Sequence, residues 1–445
     1  MRQFIMTGQR HLAVTLAVTA GLLAGSAQAQ VSSDELAALR AQLAALQERL
    51  AAIEAAQQSQ ASQIEEVATT NADQQESIDQ GADNLARALG ESASSGWLAR
   101  WQWRGDLRYR NETIDAEGAV GRNRDRIRGR FGVLARVNDT TRVEWQLSTA
   151  ENADARSTNV TLSDANSRKS VYIDLAYGEW APNAQWRFTA GKMKYPWNRV
   201  ASFFFDGDIN PEGVAANWQQ GKTGWFASGF VTRLAERSAI ADSDMVGAQL
   251  GFRESTSSGD RYLMSVGYFD HRAIEGYSVT QGGSAGGVFG NTTRTAGCRS
   301  VSAGACFAND YDVIEVQGEW QTRLSDRPLT LFADYALNTA VAGDRPLDTA
   351  YSLGFTYGRV SSSVPSSWEV GLMYQKVEKD ALFGQWVDSD FAAGATDGAG
   401  YALRGAYQIN ANVRLAWNYM INELQTDTSA GKDYERLQID LNWSF

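Results

Sequence analysis

From about residue 97 onward the chain alternates apolar and polar positions in short runs, and the carboxyl terminus shows the pattern most cleanly. Leu437, Ile439, Leu441, Trp443 and Phe445 alternate with Arg436, Gln438, Asp440, Asn442 and Ser444 without a break. Period two places one set on each face of a strand, so one face is oily and the other polar. The same pattern predicts strands at 98–110, 124–137, 141–149, 170–180, 185–193, 213–219, 224–233, 244–253, 261–270, 311–321, 328–338, 350–359, 368–378, 400–408, 413–423 and 433–445, sixteen in all. Connections alternate in length: Asn138 to Thr140, Pro182 to Ala184, Ser325 to Arg327 and Asn410 to Asn412 are short and interleave with long loops. The one proline in a predicted strand is Pro328, at its first position, where a missing N–H is tolerated.

Two environments could hide the oily faces. In a soluble sandwich they would form a core, with the aromatics packed inside it. In a bilayer they would meet lipid, and every backbone N–H and C=O would have to pair between strands, which only a closed barrel achieves. An even strand count returns both chain ends to one side, as single-chain membrane barrels require. Trp97, Trp101, Trp186, Trp218, Trp225, Trp368, Tyr401 and Tyr407 lie near segment ends, where an amphipathic ring suits the headgroup boundary. The membrane barrel accounts for all of these features at once.

Upstream the period changes. Leu36, Leu39, Leu43, Leu46, Leu50 and Ile53 recur at spacings of three and four, and Ile64, Val67, Ile78 and Leu85 continue the register, as in a coiled coil. Gln57, Gln60, Asn71 and Gln74 occupy the same seam and loosen its second half. A single amphipathic helix is the alternative, but so narrow an apolar stripe would stay wet on a lone helix. Helix from Asp34 to Gly90 would extend ~85 Å at ~1.5 Å per residue, a periplasmic stalk. Before it, Arg2 and Arg10 precede an apolar run from Leu12 to Ala24 and a small-x-small site at Ala27-Gln28-Ala29, the pattern of a secretory signal peptide. The run is too short for a spanning helix, which needs ~20 apolar residues.

Composition sharpens the boundaries. All fourteen tryptophans fall between Trp97 and Trp443 and all six prolines between Pro182 and Pro365, so the junction lies near Gly96. The expected organisation is a signal peptide (1–29), a coiled-coil stalk (30–95) and a barrel domain (96–445): an all-β transmembrane barrel preceded by an α-helical coiled coil. A net charge of -11 argues against a nucleic-acid partner. A mean hydropathy of -0.36 excludes a helical membrane protein but suits a barrel, in which only alternate residues are apolar.

The candidate chemistry is arginine. Arg124, Arg126, Arg128 and Arg130 share one face of the second predicted strand, opposite Ile127, Phe131, Val133 and Val137, with Arg122 and Arg136 extending the row. On the first strand Arg100, Arg104, Arg108 and Arg110 oppose Trp101, Trp103, Leu107 and Tyr109. An arginine on the lipid face near the midplane costs ~2–4 kcal/mol, so both rows should point into the lumen. There they either brace the wall against carboxylates such as Asp106, Glu144 and Asp174 or meet passing solutes, and the two roles are compatible.

Arg104-Gly105-Asp106-Leu107-Arg108-Tyr109-Arg110, the arginine row ending at Arg130, Asp174-Leu175-Ala176-Tyr177, Gly191-Lys192-Met193 and the run from Phe205 to Gly213 together resemble the Putative porin family of Gram-negative outer membranes. The resemblance covers 96–445 and is strongest before about Trp218. The coiled-coil start is similar to that of trimeric DcaP-like porins that take up dicarboxylates, although no motif ties this chain to their substrates. The resemblance implies a homotrimer of sixteen-stranded barrels, each with its own pore and with its third external loop folded inward. It also implies outer-membrane lipid and lipopolysaccharide as surroundings, small solutes as permeants, and Phe445 as a terminal aromatic read by the barrel-assembly machinery. No cofactor is implied.

That third loop would be Lys194 to Glu212, setting Asp206, Asp208 and Glu212 across from Arg104, Arg108, Arg110, Arg124, Arg126, Arg128 and Arg130. Opposed charges at a constriction select solutes by size and sign. Because the arginines outnumber Asp106 on the first two strands, an anion preference is expected, plausible for small organic acids, if the loop carboxylates do not cancel it. Asp206-x-Asp208-x-Asn210 begins like a calcium loop but lacks the glycine and closing glutamate, so no metal is assigned. Cys298 and Cys306, the only cysteines, should pair as a staple of the fifth loop. His271, the only histidine beyond the signal peptide, is expected as an exposed residue at a strand–loop junction, and no catalytic residue is assigned. The sequence thus reads as a diffusion channel and not an enzyme; the competing reading is a structural tether, in which a plugged barrel anchors a periplasmic spacer.

Overall fold

The structure, a computed structural model, describes residues 44–45, 48–49, 51–53, 100–163, 165–278, 287–299, 305–341, 343, 346–428 and 431–445. The chain divides into two units, Met1–Ser94 and Ser95–Phe445. In the first, the described residues are helical and exposed. The predicted signal peptide, the rest of the predicted stalk and Trp97 lie outside the described residues.

The second unit is built from β1 (Trp101–Ala116), β2 (Arg122–Arg136), β3 (Thr141–Thr149), β4 (Val171–Trp180), β5 (Trp186–Lys192), β6 (Glu212–Gln219), β7 (Gly224–Ala235), β8 (Ser243–Ser255), β9 (Arg261–Arg272), β10 (Tyr311–Leu324), β11 (Arg327–Asn338), β12 (Thr349–Gly358), β13 (Trp368–Val377), β14 (Gly398–Gln408), β15 (Val413–Leu424) and β16 (Lys432–Ser444). Each pairs antiparallel with the next, and β1 also pairs with β16, from Asp106 opposite Ser444 to Ala116 opposite Tyr434. The sheet therefore closes and has no edge. All sixteen predicted strands are present. The first is the most displaced, running on to Ala116 because ladders to both β2 and β16 hold Asn111 to Ile114.

Side-chain parity is inverted relative to a soluble protein. On β16, Tyr434, Arg436, Gln438, Asp440 and Asn442 are buried while Leu437 and Ile439 are exposed. Elsewhere Phe131, Leu250, Val266, Val316 and Leu353 face out, and Gln249, Ser265, Gln317 and Ser352 face in. Such an apolar belt is stable against lipid and not against water. Exposed Trp101, Trp103, Trp186, Trp225, Tyr262, Trp320 and Tyr407 lie toward one rim, and Tyr268, Tyr335, Tyr351 and Tyr401 toward the other. These are the two interfacial girdles.

The seam between β1 and β16 depends on one glycine. Gly105 and Phe445 exchange backbone hydrogen bonds of 2.9 and 3.0 Å. A Cβ at Gly105 would fall 2.6 Å from Phe445 Cε2 and 2.9 Å from the Arg130 carbonyl oxygen. Gly105→Val should therefore loosen closure by ~1–3 kcal/mol, the usual cost of overpacking. The check is the temperature at which the folded barrel loses its compact mobility on a gel; an unchanged transition would mean that the seam tolerates a side chain there.

One rim carries mostly short turns and the other the long connections 150–170, 193–211, 273–310 and 378–397, here loops 2, 3, 5 and 7. Loop 3 folds inward as expected. Its Met193, Trp197, Phe204, Phe205 and Ile209 pack against inward Phe230, Met245 and Phe269. Side chains on β8, β10 and β13 clamp its backbone: Gln249 accepts from Asn198 N at 2.9 Å, Gln317 from Val200 N at 2.7 Å and Gln375 from Phe203 N at 2.9 Å. Loop 7, which the sequence did not single out, folds in as well, adding Leu382, Phe383, Trp386 and Val387 to the same apolar cluster. One sector of the lumen thus has a core of its own, which leaves the arginine-bearing sector opposite it.

Candidate functional site

The arginine rows point inward, and closure supplies partners that neither row contains. Arg128 and Arg130 donate to the two oxygens of Asp106 at 2.7 and 2.8 Å. Arg110 grips Asp440 of β16 through two bonds of 2.6 and 2.8 Å. Arg436, also on β16, donates to Glu112 at 3.0 Å and lies 2.6 Å from Asp390 of loop 7. Arg124 also pairs with Glu112, and Arg104 with Glu144. Arg126 reaches loop 2, donating to the Asn159 carbonyl at 3.0 Å and to Ser157 Oγ at 3.2 Å.

Exposure divides the row. The side chains of Arg104, Arg130 and Arg108 remain 48%, 24% and 16% accessible, whereas Arg126 and Arg128 keep only 6% and 7%. The first three, like Arg124 at 16%, keep accessible surface. The last two are mainly struts.

Carboxylates from loops 3 and 7 face this wall. The loops are stitched together by Asp206 N to the Trp386 carbonyl at 2.8 Å and by Ser389 N to Asp206 Oδ2 at 2.8 Å. Asp208 Oδ2 accepts from Thr158 N and Oγ1 at 3.1 and 3.0 Å, which ties in loop 2. Burial and the neighbouring Asp388 carboxylate push Asp206 well above its usual range, and burial with Asp390 beside it pushes Asp388 up to about 6. Burial would raise Asp208 and Asp390 too, but Arg128 and Arg108 hold the first below its usual value, and Arg436 and Arg110 hold the second well below.

The sequence matches the family described as Putative porin over residues 115–297 and 305–445. The chain belongs to this family. It is an outer-membrane channel protein and not an enzyme. The porin is similar in fold to OprB of Pseudomonas putida in its high-pH structure, with a TM-score of 0.53 at 10% identity, covering 80% of this chain and 97% of that one. It is also similar to a loop-deletion mutant of OmpT from Vibrio cholerae (TM-score 0.46, 13% identity, 78% and 100% covered) and to a triple mutant of the Rhodopseudomonas blastica porin (TM-score 0.45, 9% identity, 78% and 100% covered). Comparison with curated protein sequences found no match.

In this porin the acids on loops 3 and 7 should tune selectivity with pH. Carboxyls whose folded pKa is raised take up protons as pH falls through that pKa, and the packed loops are favoured by acid in that window. As pH drops from about 7.5 to about 5, Asp388 becomes neutral while the guanidinium groups facing it keep their charge. The reversal potential in a potassium chloride gradient should move toward that of chloride. Asp388→Asn should show much of this move already at neutral pH; a pH-independent potential in the native protein would contradict the assignment.

Two predicted residues sit elsewhere than expected. Glu212 opens β6 on the parity of outward-facing Val214 and pairs with Lys192 at 2.7 Å, at the rim of the cavity that Asp208 also lines. A single residue decides this, because parity flips at each step of a strand. His271 is 2% exposed, its Nδ1 2.9 Å from the Tyr311 carbonyl oxygen and its ring against Phe383. Loop 7 covers it, which the expectation of an exposed histidine did not foresee. The calcium-like run also disperses: Asp206 and Asp208 accept from loop backbone, while Asn210 donates to Asp174 at 2.6 Å. Among the described residues no group of His, Cys, Asp and Glu side chains is arranged to hold a metal. Cys298 and Cys306 form a disulfide across the Thr293–Arg294 and Cys306–Phe307 hairpin of loop 5.

Proposed function

We propose that the porin is a water-filled diffusion channel for small hydrophilic solutes, with a preference for anions such as small organic acids. The accessible side chains of Arg104, Arg108 and Arg130, on the wall opposite the packed loops, carry this reading. Those guanidinium groups keep accessible surface in the lumen, where a passing solute would meet them. Fusing purified protein into a planar bilayer tests it: stepwise conductance with a reversal potential on the chloride side is the expected result. Absence of conductance would leave the tether reading, which the apolar core inside the lumen favours. In that reading the barrel is plugged and the segment 30–95 is a spacer.

The proposed assembly is a homotrimer held partly by the stalk: the seam from Leu36 to Ile53 supports self-association, without deciding between two and three strands, and the family resemblance supplies the number three. Mature protein would begin near Gln30, the stalk would hang in the periplasm, and the mostly short-turn rim would face it. The outward aromatic and aliphatic belt would contact lipid and lipopolysaccharide. Phe445, exposed at the end of the closing strand, suits recognition by the barrel-assembly machinery. Light scattering in mild detergent tests the trimer, and a monomeric intact protein would refute it.

A further inference from the structure

On the turn side of loop 3 lies a cavity of about 400 Å³, bounded by that loop and by inward residues of β5 to β8. Arg187, Gln219, Phe226, Ser228 and Arg253 line it from the wall, and Trp197 from the loop. No aspartate or glutamate lines it. The larger cavity on the other side of loop 3, about 820 Å³, differs in this respect, since Asp154, Asp174 and Asp208 all contribute to it.

Three donors in the lining have no hydrogen-bond partner among the described residues: Arg253 Nε, Ser228 Oγ and Trp197 Nε1. Ser228 is only 7% exposed and Trp197 only 5%. Buried donors left unmade cost ~1–3 kcal/mol each, and three of them border this one space. Arg253 is not neutralised from within the wall. Its guanidinium lies 4.7 Å over the Phe226 ring, and its polar contact is a 3.4 Å bond to Gln219 Oε1. Arg187 pairs with Glu179 at 3.2 Å, but Arg142 claims the same carboxylate at 2.8 Å. The cavity therefore combines positive charge, unfilled donors and aromatic surface.

We propose that this cavity is a binding subsite for a small organic carboxylate. The carboxylate accepts from Arg253, Ser228 and Trp197, and its apolar body lies among the aromatic rings. The subsite rests on the reading of the protein as a solute channel, in which it would hold an anion on the turn side of the loop. A volume of about 400 Å³ admits an aromatic acid the size of benzoate with room for water.

Benzoate titrated into the detergent-solubilised full chain by calorimetry tests the proposal, with benzyl alcohol as the uncharged control. Saturable binding of benzoate and none of benzyl alcohol is expected. Losing a charge-assisted bond should make Arg253→Gln bind about tenfold more weakly, and losing a neutral donor should make Ser228→Ala and Trp197→Phe about threefold weaker. Trp197→Phe keeps the ring and removes only the N–H, so it stands in if the Arg253 variant does not fold. Absence of saturable binding, or undiminished affinity in a folded Arg253→Gln or Trp197→Phe protein, overturns the proposal. Bilayer conductance of the same preparation separates the two readings: a protein that conducts but does not bind loses the subsite and keeps the channel. One that binds with the expected variant losses but does not conduct keeps the site and loses the channel.

Discussion

Arg436→Met should lower the stability of the barrel by ~3 kcal/mol or more, because removing one member of a buried ion network leaves its partners charged and dry. Arg436 is 4% exposed and Glu112 is fully buried. The guanidinium links Glu112 on β1 to Asp390 and to the Ser389 carbonyl in loop 7, so it fastens the loop to the seam strands. Arg124 and Gln438 still contact Glu112 in the variant, and Arg110 still contacts Asp390, which keeps the loss from being larger. The measurement is the unfolding temperature of the compact form in detergent. Adding Glu112→Gln to the same chain should recover much of the loss, since the second change removes the charge that the first stranded. If the single variant unfolds with the native protein, loop 7 is held by its apolar contacts alone.

The strands were legible because a bilayer enforces period two with few exceptions: each outward position such as Leu437 or Ile439 must be apolar, and each strand repeats the rule. The inward direction of the arginines was legible for the same reason. Of their partners, Asp106 and Glu144 were legible too, but those supplied by closure were not. Asp440 and Arg436 lie more than three hundred positions from Arg110 and Glu112, and only closure of β16 on β1 brings them together. The inserted loop 7 left a signal that was not used: Leu382, Phe383, Trp386, Val387 and Phe391 are too apolar for a connection lying in water. Reading it would also have buried His271. Glu212 is a finer point, since it stands where loop 3 becomes a strand and the pattern cannot say on which side of the wall the first residue falls.

Selectivity depends on which arginines the lumen reaches, and the second large effect should separate them. Arg104→Ser, Arg108→Ser and Arg130→Ser combined should cut the chloride-to-potassium permeability ratio by about threefold or more, because charges within a Debye length of ~8 Å act on a passing ion while those beyond it are screened. The overall charge of -11 counts for little here, since charges farther than a Debye length from a passing ion are screened. Local balance decides. Asp106 is shared by Arg128 and Arg130, so that group retains an excess positive charge, and protonation of Asp206 and Asp388 would add to the excess. Arg126→Ser is the contrasting variant. Its bonds go to Ser157 and Asn159, so its loss should loosen loop 2 and leave the reversal potential nearly unchanged. A native pore that already prefers potassium, or a triple variant with native selectivity, would make the entire row wall structure.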